Sequence, residues 1–170
     1  MAESFLLEAY MKLTSINKKL FELCNFDKEL LQNKEARRPY VVIVRLKYGD
    51  EKFDFAVPFR SNIPPGTDPT QFFPLPTRST TKPGHFHGLH FTKMFPISKM
   101  YLEKYHQSSK VYDVMIKKII DRKEKLIVTA AQNYLDDYIK NGPPKYSTDI
   151  EGIIDTLSLR KKKTGKETHP

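Results

Sequence analysis

The sequence predicts an α+β domain. Three observations predict it: a hairpin signal rich in β-branched residues over 40–57, a proline-rich middle that forbids regular helix, and helical periodicity filling the last half of the chain.

Taken in order, Ala9 to Thr14 alternate loosely and read as a strand. Ser15 then stands where an N-cap belongs, with Ile16, Leu20 and Leu23 at helical spacing behind it, so a short helix is predicted over 16–24. Residues 25–38 are polar and mixed and end on the pair Arg37-Arg38. Pro39 suits the start of a strand. Tyr40 to Tyr48 (YVVIVRLKY) is the first hairpin strand. After Gly49-Asp50, the run EKFDFAV places Phe53, Phe55 and Val57 on one face and Lys52, Asp54 and Ala56 on the other.

Residues 58–84 change character, since eight of the 12 prolines fall between Pro58 and Pro96. The expectation there is a long loop, anchored by Phe72, Phe73 and Leu75 and, by its length, either functional or disordered. Phe86 to Ile97 reads as a returning strand or strand pair. Ser108-Ser109 open a helix through Val111, Tyr112, Met115, Ile116, Ile119 and Ile120. Asp121 is the candidate N-cap of a second, which runs from Leu126 to Ile139 and stops at Asn141-Gly142-Pro143-Pro144. A third helix starts at Ser147-Thr148-Asp149 and runs to about Leu159. The chain divides into one domain over 1–159 and a basic tail over 160–170, read as disordered, which holds five basic residues and one acid.

Composition bounds the function. The 170 residues carry 29 Lys and Arg against 20 Asp and Glu, a net charge of +9. Such a surplus points to a polyanionic partner. The single cysteine, Cys24, excludes a disulfide framework and a Cys-based zinc knuckle. It fits a buried apolar position in a reducing cytoplasm. Apolar runs such as Val41-Val42-Ile43-Val44 are far too short to span a membrane, and the first residues lack the basic region of a signal peptide. A cytoplasmic protein without a membrane partner is expected.

The chemistry concentrates between Phe55 and Tyr101. Asp68 is the one acidic residue there, against Arg60, Arg78, Lys82, Lys93, Lys99, His85, His87 and His90, with Phe59, Phe72, Phe73, Phe86 and Phe91 interleaved. Cations for phosphates and aromatic faces for bases compose a single-stranded RNA groove; the plainer reading is a solvated basic loop over core phenylalanines. His85, His87 and His90 could hold a metal, but no carboxylate lies near them in sequence, and on a regular strand the third would face away from the other two. There is no Gly-rich phosphate loop and no Gly-x-Ser-x-Gly elbow. Ser61 reads by composition as a turn serine. Asp136-Asp137, adjacent on a helix, diverge by about 100° and make no chelating pair.

The order of the short motifs resembles the ToxN/AbiQ family, the endoribonuclease toxins of type III toxin–antitoxin systems. The resemblance rests on Ala-Tyr-Met-Lys-Leu-Thr-Ser (9–15), Arg-Pro-Tyr-Val-Val-Ile-Val (38–44), Phe-Ala-Val-Pro-Phe-Arg-Ser (55–61), His-Gly-Leu-His-Phe (87–91) and Lys-Met-Phe-Pro-Ile (93–97), in that order before the closing helices. It covers about residues 9–159. Pro-Phe-Arg-Ser-Asn (58–62) looks closest to the CptN branch. Carried over by position, Ser61 matches the family's active-site serine, Tyr40 its strand tyrosine and His90 its asparagine. Arg60 stands where ToxN has Thr. Asn62 and Ile63 replace the family's Pro-Lys, so a loop lysine is absent and Arg60 is the simplest substitute for its charge.

The resemblance implies a compact, highly twisted antiparallel, barrel-like sheet core flanked by helices and related to the MazF/Kid toxin fold. It implies RNA cleavage without a cofactor or metal, by attack of the RNA's own 2′-OH, leaving 2′,3′-cyclic phosphate and 5′-OH ends. It also implies inhibition by a small pseudoknot antitoxin RNA rather than a protein antitoxin, and a role in phage abortive infection or maintenance. On that scheme Ser61 contacts the scissile phosphate or the 2′-OH, and Arg60 and Lys93 stabilise the phosphorane, with Lys82 in reserve. His90 moves the proton, with His87 second, and Tyr40 orients a base or phosphate. A groove between sheet and helices would receive the antitoxin RNA through Arg37, Arg38, Lys104, Lys110, Lys117 and Lys118, with Lys82, His85 and His87 adding contacts. Three readings compete with it: a noncatalytic RNA-binding module, a histidine-dependent metal hydrolase, and a MazF-like toxin neutralised by a protein.

Overall fold

In the computed structural model, residues 11–31, 38–106 and 108–160 are described. The strands are β1 (Met11–Ile16), β2 (Tyr40–Tyr48), β3 (Glu51–Ile63), β4 (Phe72–Leu75), β5 (Phe86–His90), β6 (Phe95–Ile97) and β7 (Leu102–Glu103). The helices are α1 (Lys18–Leu23), α2 (Val111–Arg122), α3 (Glu124–Asn141) and α4 (Ile150–Thr156). The class is α+β. Every strand pairing is antiparallel, in the order β4-β5-β3-β2-β1-β7 with β6 also on β3.

The β2–β3 hairpin closes where expected, on Gly49-Asp50, with Gly49 at φ 67°. β3 then overruns the expected loop. Residues up to Pro58 pair with β2, and Phe59 onward pair with β5. Proline, with no N–H to give a ladder, fits this change of partner. Pairing with β5 carries the strand on to Ile63, so Arg60 and Ser61 lie on a strand and not in a turn. β5 and β6 run along the same edge of β3 and are parted by one 3₁₀ turn, Phe91–Lys93. This is the strand pair expected over 86–97.

The sheet buries both faces. Val41, Ile43, Phe55, Val57 and Phe59 pack against Ile116, Ile127, Ala131 and Leu135 of α2 and α3. On the other face Tyr40, Val42 and Ala56 pack with Leu20 and Phe21 of α1 and with Phe95 and Ile97. Each large side chain so buried contributes roughly 1.5–3 kcal/mol. α4 closes the edge, giving Ile150 and Ile154 to one core and Ile153 to the other.

Three helix boundaries differ from expectation. Ser15 and Ile16 belong to β1, because β7 pairs with them; the cap of α1 is Asn17, whose side chain accepts from the Lys19 N–H at 2.8 Å. Asp121 lies inside α2, ion-paired to Lys117, and the break falls at Lys123. The third helix, capped by Asp149, ends at Thr156.

Candidate active site

Arg60 pairs with Gly88, so its side chain leaves the sheet on the face of His90, two residues along β5. Nη1 of Arg60 lies 3.3 Å from Nδ1 of His90. Between Arg60 and Ile63 the register slips, and β3 carries one residue more than β5. The bulge holds Ser61 and Asn62. Bulges re-aim side chains and gather near functional sites. Asn62 uses its bend to hold the following loop: its Nδ2 donates to the Thr80 carbonyl at 3.2 Å, and its Oδ1 accepts from the Lys82 N–H at 2.7 Å.

The 3₁₀ turn after His90 turns Lys93 to the same side. The Lys93 ammonium donates to Oε1 of Glu29 at 2.5 Å and to the Tyr146 carbonyl at 2.7 Å. Tyr146 adopts φ 65°, a left-handed backbone that costs on the order of 1 kcal/mol or more in a residue with a Cβ. The Thr148 N–H donates to the Thr92 carbonyl at 3.0 Å and its hydroxyl to the Met94 carbonyl, so the segment after Pro144 is tied to the turn. Together these groups enclose a cleft of about 280 Å³, lined by Glu29, Arg60, His90, Thr92, Lys93, Lys145 and Tyr146 among others.

His90 is only 4 % exposed. Burial, with the Arg60 and Lys93 cations beside it, pulls its pKa down to about 3. It is therefore neutral at pH 7, with Nδ1 free to accept from Arg60. The ordinary histidine pKa that recommended it for proton transfer does not apply here. Burial and the neighbouring Arg38 lower the Arg60 pKa from its usual value, and Glu29 opposes them. The guanidinium starts high enough to keep its charge.

The other candidate residues fall in several places. Ser61 is half-buried in the bulge beside Arg60 and is not among the residues lining the cleft. Tyr40 is 0 % exposed, its ring against Phe21 and Phe95, its hydroxyl donated to the Leu31 carbonyl at 2.9 Å. A residue so enclosed has no surface from which to orient a base or phosphate. His87 leaves β5 on the opposite face from His90, stacks on Phe59 and meets the Tyr112 hydroxyl at 2.8 Å. It therefore cannot deputise for His90 in the cleft. His85 is partly exposed in the loop before β5, and Lys82 is exposed on the loop held by Asn62. Among the described residues, no three His, Cys, Asp or Glu side chains come together as metal ligands.

Arg38 donates to the Phe59 carbonyl at 2.9 Å, close to Arg60, while Arg37 lies outside the described residues. Lys104 and Lys110 are exposed before α2. Lys117 lines two adjoining cavities, about 330 and 180 Å³, on the His87 side of the sheet. Lys118 lines a separate depression along α2 with Val111, Met115 and Arg122. The two adjoining cavities lie between sheet and helices on the opposite face from the cleft, and of the described residues expected to contact RNA only Lys117 and His87 line them.

Sequence reasoning missed Glu29, Thr92, Lys145 and Tyr146. The first sits in a stretch that read only as polar, and the last two follow a Pro-Pro stop that read only as punctuation.

No family model and no curated protein sequence matches the chain. Solved structures do. One is AbiQ, a lactococcal anti-phage endoribonuclease of a type III toxin–antitoxin system, with TM-score 0.62 and 16% identity over 88% of this chain and 97% of AbiQ. The chain has the ToxN/AbiQ fold. A second structure is of a bacterial type III system in which a non-coding RNA pseudoknot selectively inhibits the toxin; its TM-score is 0.65, at 16% identity over 88% of this chain and 97% of that one. A third, from a bacterial antiviral system regulated by a processed non-coding RNA, gives 0.62 at 15% identity over 89% and 99%. These likenesses establish ToxN/AbiQ as the fold and single out no branch within it.

Proposed function

We propose that this chain is an endoribonuclease toxin of a type III toxin–antitoxin system, acting in the bacterial cytoplasm in phage abortive infection or maintenance. It cleaves RNA without a metal ion, the RNA's 2′-OH attacking its own phosphate to leave 2′,3′-cyclic phosphate and 5′-OH ends. A small pseudoknot RNA, cut from its precursor by the toxin, inhibits it. The observation that carries this reading is the cleft that gathers Arg60, Lys93 and Lys145 with two threonines and an exposed tyrosine, in the fold of an anti-phage endoribonuclease.

Cleavage by the 2′-OH needs a proton acceptor, a proton donor and positive charge on the phosphorane. Arg60 supplies the charge, with a planar fork matched to phosphate oxygens and oriented by neutral His90. Lys145 adds charge at the rim. Ser61, in the bulge, hydrogen-bonds the phosphate chain beside the cleft. Tyr146, 63 % exposed, offers a face on which a base stacks. The antitoxin RNA lies along the groove on the other side of the sheet, where Lys12, Arg78 and Lys117 meet its phosphates.

The test is cleavage of RNA by purified protein in EDTA, with the new ends mapped. Cyclic phosphate and 5′-OH ends are expected. Cleavage that appears only when a divalent ion is restored would overturn the metal-free scheme, and RNA binding without cleavage would reduce the chain to a binding module.

A further inference from the structure

Among the described residues lining the cleft there is one carboxylate, Glu29. It lies on an irregular segment after α1, yet its neighbours fix it. Its backbone N–H donates to Oδ1 of Asp27 at 3.0 Å, and the other Asp27 oxygen accepts from the Asp149 N–H at 2.7 Å, where α4 begins. Leu30 is 5 % exposed in the α1-side core, and the Leu31 carbonyl accepts the Tyr40 hydroxyl at 2.9 Å. The buried tyrosine thus holds the segment that presents Glu29.

The Glu29 carboxylate is 2.5 Å from the Lys93 ammonium, and the two side chains differ in exposure. Lys93 is 7 % exposed and Glu29 35 %, so the cation is enclosed while the carboxylate opens to the cleft. A carboxylate has about four acceptor sites, and the contact with Lys93 uses one. Glu29 is also close enough to Arg60 to act on its charge. A phosphate held by Arg60 therefore lies beside both members of the pair. The histidines that the sequence offers for proton transfer are poorly suited to it: His90 is buried and held neutral, and His87 leaves β5 on the opposite face, against Phe59 and Tyr112.

We propose that Glu29 and Lys93 form the proton-transfer pair for RNA cleavage, an assignment that rests on the endoribonuclease reading. The Glu29 carboxylate takes the 2′-OH proton as the O2′–P bond forms. The Lys93 ammonium gives a proton to O5′ as the P–O5′ bond breaks. The proton on Glu29 then passes to the Lys93 amine across their contact, and the ion pair is restored. No water is consumed and the proton count is unchanged.

The test uses the full chain in EDTA, under single turnover, on one RNA oligonucleotide that the wild-type protein cuts. The same oligonucleotide is also made with sulfur in place of O5′ at the cut site. A thiolate leaves without a proton, so it bypasses the need for an acid. Glu29→Gln is expected to slow cleavage about a hundredfold or more, with affinity for a 2′-O-methyl analogue within about threefold, and to stay slow on the sulfur substrate; Glu29→Asp recovers part of the loss. Lys93→Met is expected to be as slow on ordinary RNA and to recover to within about tenfold of wild type on the sulfur substrate. Melting curves identify variants that unfold, and Glu29→Asp, which keeps the ion pair's charge, carries the test if Glu29→Gln is one of them. Cleavage by folded Glu29→Gln at the wild-type rate overturns the pair, as does a Lys93→Met defect of equal size on both substrates. A wild-type protein that cuts no RNA overturns the endoribonuclease reading itself, and the pair with it.

Discussion

Nη1 of Arg60 and Nδ1 of His90 stand 3.3 Å apart, in a contact that works only if the imidazole is neutral. Both reach the same face because Arg60 pairs with Gly88 and His90 follows two residues later. The histidine then acts on the guanidinium as an acceptor, fixing where its fork points.

The pH dependence of stability follows. In the unfolded chain His90 titrates near its ordinary value of about 6.5. In the folded chain it titrates at about 3. Between those values the unfolded state binds more protons, so stability is full above about pH 6.5 and is lost as pH falls toward 3. His90→Asn keeps a neutral acceptor and removes the titration. Urea unfolding from pH 7.5 to 4.5 is expected to show wild type losing stability relative to His90→Asn as pH drops. Parallel curves would mean that His90 is not held neutral.

Arg60 and Ser61 are adjacent, but the bulge gives them different weights. Arg60 lines the cleft, and losing a charged donor there is expected to slow cleavage about a hundredfold, near 3 kcal/mol. Arg60→Lys recovers only part, because an ammonium has no fork. Ser61→Ala removes one neutral hydrogen bond beside the cleft, on the order of 1 kcal/mol and less than tenfold in rate. Single-turnover rates for the three variants check this, and a Ser61→Ala loss equal to that of Arg60→Ala would put the serine on the reacting phosphate.

The contrast between those two residues shows what was legible in the sequence. The β2–β3 hairpin was, because period-two alternation and Gly49-Asp50 are local signals. The helices were, within a few residues, because 3.6-residue periodicity is local too. β3 beyond Pro58 was hidden, since a proline reads as a breaker and the change of partner from β2 to β5 is a tertiary event. Arg60, His90 and Lys93 were named as site residues and the fold brings them to one cleft. The pairing of Lys93 with Glu29, 64 positions away, leaves no trace in spacing or composition. Tyr40 was singled out, but its burial follows from facing α1 across the sheet, which no run of residues around it declares.

Gly88 tests the strand geometry beneath the cleft. It sits between Arg60 on β3 and Pro74 on β4, and a Cβ built there would stand 2.1 Å from the Phe73 carbonyl oxygen. That neighbour is backbone and cannot swing aside. Gly88→Ala is expected to destabilise the fold by roughly 1–3 kcal/mol through overpacking and to slow cleavage by displacing Arg60 and His90. Thermal melting together with the rate checks it; an unshifted melting temperature would show that β4 moves off β5 at no cost.

Tyr146 presents an exposed ring at the cleft rim with the Lys145 ammonium 5.1 Å from its centroid. Stacking of a base on such a face is worth about 1–3 kcal/mol by alanine substitution. Tyr146→Ala is therefore expected to weaken binding of a 2′-O-methyl oligonucleotide about tenfold or more, while Tyr146→Phe stays near wild type. The backbone carbonyl that holds Lys93 is the same in both. Fluorescence anisotropy measures it, and equal affinity for Ala and Phe would remove the ring from RNA recognition.

If the antitoxin RNA lies in the groove on the opposite face, its binding is separable from cleavage. The groove's two cavities share Leu13, Tyr105, Lys117 and Ile120, and Arg78 stands over the Tyr112 ring at 4.7 Å. Lys117 and Arg78 are paired to Asp121 and Asp113 in the free protein, so binding a phosphate means exchanging partners. The Lys117–Asp121 pair is exposed, and such pairs are worth under about 1 kcal/mol, so that exchange is cheap. Lys117→Glu is expected to weaken binding of the antitoxin RNA and to lower the dependence of log affinity on log salt by about one unit for each phosphate the variant no longer neutralises. Cleavage of a short oligonucleotide that reaches only the cleft should change little. If Lys117→Glu leaves antitoxin affinity and its salt slope at wild-type values, the antitoxin RNA binds on the cleft face alone, and inhibition is direct occlusion of the substrate's path.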